Sequence, residues 1–143
     1  MPVIRRQADV PYSPAQMYAL VNDVPSYPAF LPGCVATRVL NRSDKAMTAT
    51  VEVAKGPIRK AFTTRNSLVA DERIDMELVN GPFRYLRGCW HFLPKGGGCT
   101  VQLELDFAFS SPLVAMAFGG IFEQLTKAMV GAFSQRAREV YGD

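Results

Sequence analysis

The side chains able to do acid–base, nucleophilic or metal chemistry are few in this chain, and their spacing suits little of it. His91 is the one histidine, so neither a multi-histidine metal site nor a histidine relay can be built. Two-residue alternation along residues 84–93 puts His91 on the face opposite Trp90, toward solvent. Cys34, Cys89 and Cys99 are odd in number and never spaced C-x-x-C. That argues against a disulfide framework or a zinc site and for reduced, buried, small apolar side chains. No base is identifiable for them, and a cysteine–histidine pair assembled by folding is the nucleophilic arrangement left open. The neighbours Asp71 and Glu72 fall in a turn. Gly96-Gly97-Gly98 reads as a hairpin tip with no helix behind it, a poor phosphate cradle. No G-x-x-x-x-G-K-S/T, G-x-G-x-x-G or G-x-S-x-G motif occurs. We therefore expect a protein that binds and is not an enzyme, with no catalytic residue, no metal and no required cofactor.

What the chain offers instead is apolar surface and a few cations. The segment 111–141 reads as one long amphipathic helix, with Ser111 as its cap and Pro112 at its first position. At 100° per residue, Val114, Phe118, Ile121, Phe122, Leu125, Met129, Ala132 and Phe133 share one stripe, opposite Glu123, Lys127, Ser134 and Arg138. Gly119, Gly120 and Gly131 interrupt it at about 1 kcal/mol each, which predicts close backbone approach or room beside the helix. The net charge of +3 is mild, but its distribution is uneven. Lys55, Arg59, Lys60 and Arg65 follow Glu52 with no acid until Asp71, and Arg84, Arg87 and Lys95 lie in a second acid-free stretch. Two neighbouring strands carrying Arg59, Lys60, Arg65, Arg84 and Arg87 would form a basic patch for RNA, an acidic partner or anionic lipid headgroups. DNA is not expected as a partner.

The elements that position these groups follow from period and punctuation. Residues 3–10 read as a short strand. Ser13-Pro14-Ala15-Gln16 is a capping box, with Tyr12 and Met17 as its hydrophobic staple, so a helix starts at Pro14. Asp23 is placed to cap a second short helix ending near Phe30, and Pro28, Pro32 and Gly33 stop it. From Cys34 on the period is two, giving six strands separated by short turn signals, hence an antiparallel meander. One strand, two short helices, six strands and one long helix make a single α+β domain over residues 1–143. A widening sheet curls, and around a long helix it leaves a hollow. Phe62, Leu68, Met76, Leu86, Trp90, Phe92, Leu103, Leu105 and Phe107 point inward. Gly88, on the same face, is expected to leave space. Tyr27, Phe30 and Leu31 would close the mouth, and with Phe62, Trp90, Phe107, Phe118, Phe122, Leu125 and Met129 they form the predicted ligand cavity. No apolar run approaches the roughly 18 residues a spanning helix needs, and no leader is apparent, so a cytoplasmic protein is expected, with membrane contact at most peripheral to the inner membrane.

PYSPAQMYALVNDVPSYPAFLPGC at the start, FTTRN at residues 62–66, LVNGPFRYLRGCWHF at 78–92 and the long terminal helix resemble, in the same order, the coenzyme Q-binding family of START-like, polyketide-cyclase-like domains. The resemblance implies the helix-grip (START/Bet v 1-like) fold, with a seven-stranded curved sheet. It implies a cavity for ubiquinone or a related polyprenyl lipid and a role in supporting respiration. For a bacterial branch of the family it implies, alternatively, binding to the large ribosomal subunit that blocks subunit joining. An aromatase or cyclase would need polar groups inside the cavity, and the inward set derived above is nearly all apolar.

Overall fold

The computed structural model describes residues 3–142. Strand β1 (Val3–Val10) leads into helix α1 (Pro14–Asn22) and a 3-10 helix (Val24–Ala29). Strands β2 (Cys34–Arg42), β3 (Ala46–Lys55), β4 (Ile58–Val69), β5 (Arg73–Asn80), β6 (Phe83–Lys95) and β7 (Gly98–Phe109) follow, then helix α2 (Pro112–Tyr141). The seven strands form one antiparallel sheet in the order β1-β7-β6-β5-β4-β3-β2, curved around α2.

The local signals act as their chemistry requires. At α1 the Gln16 amide donates to Ser13 Oγ (3.1 Å) and the Ser13 amide to Gln16 Oε1 (2.9 Å), closing the capping box. At α2 the Val114 amide donates to Ser111 Oγ (3.2 Å), and Gly142, with φ of 81°, ends the helix. Asp23 differs from expectation: its side chain caps no backbone amide of the 3-10 helix, and its carboxylate instead accepts from the Ser26 hydroxyl.

The core lies between the concave face of the sheet and one stripe of α2. Phe118, Phe122, Leu125, Val130, Phe133 and Ala137 of the helix are buried there, together with Met17 and Val21 of α1. Burying each large side chain contributes about 1.5–3 kcal/mol. The C-terminal end of α2 is tied down by two tyrosines. Tyr12 donates its hydroxyl to the Gly142 carbonyl (2.6 Å), and Tyr141 donates to the Gln16 carbonyl (2.9 Å). By length and composition α2 also suits a membrane-crossing helix, which a search for one unbroken apolar run does not anticipate. Its aromatic stripe is instead packed on the sheet.

A register shift between Phe83 and Tyr85 sets the inward pattern of β6. It lets both Phe83 and Leu86 face the core, although simple alternation puts them on opposite faces. Gly88 corrects a second expectation. A Cβ there would overlap the Leu105 side chain and the Glu104 carbonyl, so Leu105 already fills the space the glycine was expected to leave. Of the glycines on α2, Gly119 marks a close approach, with its Cβ position 3.4 Å from the Phe109 ring, whereas Gly120 and Gly131 face open space.

A candidate cavity beneath α2 and the charges outside it

Beneath α2 lies an internal cavity of about 60 Å³, with Tyr27, Asn66, Trp90, Phe122, Leu125 and Met129 among its walls. Of the residues predicted from the pattern, Leu31 and Phe62 also reach it. Phe30, Phe107 and Phe118 do not. Phe30 packs edge-on against Tyr27 and Phe133, with the Arg136 guanidinium 5.2 Å above its ring. Phe107 and Phe118 join Phe62, Phe83, Phe109 and Phe122 in a block of rings at one end of the core, and Phe83 meets the other five at centroid distances of 4.9–6.2 Å. Phe83 was missed because its importance depends on the β6 register shift.

Size is the main departure from expectation. A cavity of this volume holds a few water molecules at roughly 10–15 Å³ of probe-occupied volume each, whereas drug-sized ligands occupy roughly 300–1,000 Å³. The aromatic block has taken the volume that a quinone ring and isoprenoid tail would need. Such a ligand enters only if α2 and the segment around Leu31 move apart.

The second departure is polarity. Strand β4 turns Phe62, Thr64, Asn66 and Leu68 toward the core, and Thr64 and Asn66, each 8% exposed, line the cavity. Thr64 Oγ1 donates to Asn66 Oδ1 at 2.9 Å. The Asn66 Nδ2 donor makes no hydrogen bond among the described residues and is the polar group available to a guest. Thr126, buried on α2, returns its hydroxyl to the carbonyls of Phe122 (3.0 Å) and Glu123 (3.2 Å). The interior is therefore not uniformly apolar. The signal was present in the sequence, since alternation from Phe62 reaches Thr64 and Asn66 directly. Tyr27, in the cavity wall, gives its hydroxyl to the Val21 carbonyl, and burial pushes its pKa up, so it stays a neutral donor.

Outside, the expected basic patch is broken up. β5 separates β4 from β6, so the two basic strands are not neighbours. In register across the outer face run Arg65, Glu77, Arg87 and Asp106, alternating in sign. Arg87 pairs with Asp106 (3.2 Å), and Arg59 pairs with Glu52 (2.8 Å), which holds the Glu52 carboxyl below its ordinary range. Lys60, Arg65 and Arg84 make no ion pair among the described residues.

The same face brings together Cys89 and His91, with Sγ 3.2 Å from Nε2, in a shallow groove of about 450 Å³. Folding thus assembles the pair that sequence left open, and His91 is half-buried, less solvated than alternation alone implies. Burial first, then the Asp75 carboxylate, push the Cys89 thiol up to about 12. At neutral pH it is a protonated thiol and a weak nucleophile.

The sequence pattern of the polyketide cyclase/dehydrase and lipid transport family matches residues 10–134. The chain belongs to that family. Within it, the chain is 51% identical over 142 residues to "Ribosome association toxin RatA" of Escherichia coli K12, covering 99% of this chain and 90% of the relative. It is 29% identical over 136 residues to "Coenzyme Q-binding protein COQ10 homolog B, mitochondrial" of Xenopus laevis, covering 92% of this chain and 56% of that one. Among solved structures it resembles the Zhui aromatase/cyclase of Streptomyces sp. R1128 with a TM-score of 0.85. The match covers 97% of this chain and 95% of that one at 15% identity, a likeness of fold alone. The family's START-like, helix-grip architecture is the one described above.

Proposed function

We propose that this protein is a cytoplasmic binding protein that associates with the large ribosomal subunit through its outer surface and hinders subunit joining. The observation that carries the reading is the 51% identity, spread over 99% of the chain, to a protein named for ribosome association. The geometry supports it: a core filled by aromatic rings leaves recognition to the exterior, where Lys60, Arg65 and Arg84, with no ion pair among the described residues, can meet phosphates. Sucrose gradients of ribosomes with added protein test it. Subunit joining should fall at low salt and recover as salt is raised, and an Arg65→Glu, Arg84→Glu variant should lose the effect. Unchanged profiles at low salt, or a variant matching its parent, would reject it.

A second reading rests on a different observation. Asn66, whose Nδ2 has no partner among the described residues, lines a mainly apolar cavity, a disposition suited to the carbonyl of a ubiquinone-like head, and one relative is named for coenzyme Q binding. In this reading the cavity opens to admit the ligand and closes when empty. Native mass spectrometry of protein purified with its co-extracted lipid decides: absence of bound lipid, together with no response to a quinone titration, would remove it.

A further inference from the structure

The first three turns of α2 bury Phe118 and Phe122 on the sheet but leave their outward side exposed. Residues 107–122 are the longest stretch of the chain without an ionisable side chain, sixteen in a row. Within them Leu113 is 76% exposed and Met116 84%. Ala117 and Gly120 share their helical face and are exposed too, so the outward side of these turns is apolar until Gln124 and Lys127. Antiparallel topology brings the β3–β4 turn, the β5–β6 turn and the β7–α2 junction to this same end of the sheet. The junction is fixed against the β5–β6 turn by the Ser110 amide donating to the Pro82 carbonyl (3.1 Å). Val79, 58% exposed, adds to the apolar surface there.

The charges at this end have one prevailing sign. Among the described residues Lys55 makes only a 3.3 Å hydrogen bond to Gln124 Oε1, and Lys60 and Arg84 have no ion pair. The acids nearby are Glu52, occupied by Arg59; Asp106, occupied by Arg87; Glu77, in register between Arg65 and Arg87; and Glu123, a turn beyond the apolar face. An apolar helical face at the end of the sheet that also carries Lys55, Lys60 and Arg84 matches the boundary between acyl chains and anionic headgroups. An opening lies close by. A crevice of about 260 Å³ between α2 and the Pro32–Gly33 turn is walled by Leu125, which also walls the internal cavity.

We propose that this end of the molecule docks on an anionic lipid bilayer. Leu113 and Met116 enter the headgroup–acyl boundary, while Lys55, Lys60 and Arg84 meet headgroup phosphates. The crevice beside Leu125 then faces the membrane, the direction from which an apolar guest would come.

Co-sedimentation with vesicles of phosphatidylcholine, alone or mixed with phosphatidylglycerol, tests the surface. The protein should bind the mixed vesicles several-fold better, and less as salt is raised. Leu113→Ser with Met116→Ser, and separately Lys60→Glu with Arg84→Glu, should each remove most of that binding, with circular dichroism unchanged because these side chains are exposed. A Leu113→Trp variant should show blue-shifted fluorescence only with the mixed vesicles. Equal binding to both vesicle types, or serine variants that bind like the parent, would overturn the proposal. So would a concentration-dependent dimer in analytical ultracentrifugation that the serine variants abolish, since the occupant would then be a second copy of the chain. The serine pair should leave ribosome profiles unchanged, and because Lys60 and Arg84 serve both readings, that pair is the variant that separates failure of this surface from failure of the ribosomal reading.

Discussion

Thr64 and Asn66 occupy alternate inward positions of β4, and the threonine hydroxyl donates to the asparagine side-chain oxygen across 2.9 Å within the core. This bond satisfies Thr64 and occupies the Asn66 oxygen, leaving the NH2 group of a cavity-lining residue with no partner among the described residues. Two buried polar groups thereby leave one available donor.

The pair predicts a non-additive mutation series. Asn66→Ala leaves the Thr64 hydroxyl buried without its acceptor and should cost about 1–3 kcal/mol. Thr64→Val with Asn66→Leu removes both polar groups and fills part of the void, so it should recover most of that loss. Urea denaturation of the three chains checks this. A double variant as unstable as the single one would mean that the bond is not what Asn66 contributes. Under the lipid reading the double variant, though stable, should retain no quinone.

Phe83 predicts a large loss at a position that strand parity overlooks. It touches five other rings and is buried, so Phe83→Ala should cost about 3–5 kcal/mol, among the largest single losses on β6. Thermal or denaturant melts give the value. A cost below that of an ordinary surface substitution, about 0.5 kcal/mol, would contradict the packing.

Leu125 separates the outer crevice from the inner cavity, so truncation should trade stability for access. Leu125→Ala should destabilise by about 2–5 kcal/mol and join the two spaces. The folded variant should bind an apolar fluorescent probe more tightly than its parent does, and unchanged probe affinity would show that the two spaces remain separate.

Cys89, with its thiol pushed up to about 12, should react slowly with iodoacetamide despite its neighbour His91. At pH 8 its thiolate fraction is on the order of one in ten thousand, and the rate should climb about tenfold per pH unit up to the limit of folding. Peptide mass spectrometry after timed alkylation reads it. Rapid labelling at pH 7 would mean that His91 takes the proton.

Asp9 accepts from Lys95 Nζ (2.7 Å) and Thr100 Oγ1 (2.6 Å), and these bonds hold its carboxyl below the ordinary value. A depressed folded-state pKa stabilises the fold above the unfolded value, with the contribution lost as pH falls through the folded one. Lys95→Met should therefore raise the Asp9 pKa, followed by carboxyl-carbon NMR, and should flatten the fall in stability below about pH 4. An unmoved titration would show that the pair does not persist in solution.

The sequence by itself determined the order and kind of every element. Those signals are local: a Ser-Pro-Ala-Gln cap, alternation along β7, and a run of good helix formers behind Ser111 and Pro112 each depend on residues a few positions apart. It also placed Trp90, Phe122 and Leu125 inside, because one-sided apolar patterning requires a buried face. Asn66 was legible on the same grounds, being two pairs of residues along β4 from Phe62. The tertiary structure decided the rest. Whether the grip is hollow depends on rings from four separate elements, β4, β6, β7 and α2, meeting around Phe83 and Phe122, and a shift of one residue in β6 changes which of them arrive. Whether the cations form a patch depends on β5 lying between β4 and β6, which sets Glu77 between Arg65 and Arg87. Volume and charge pairing are sums over partners far apart in the chain, and no local period encodes them.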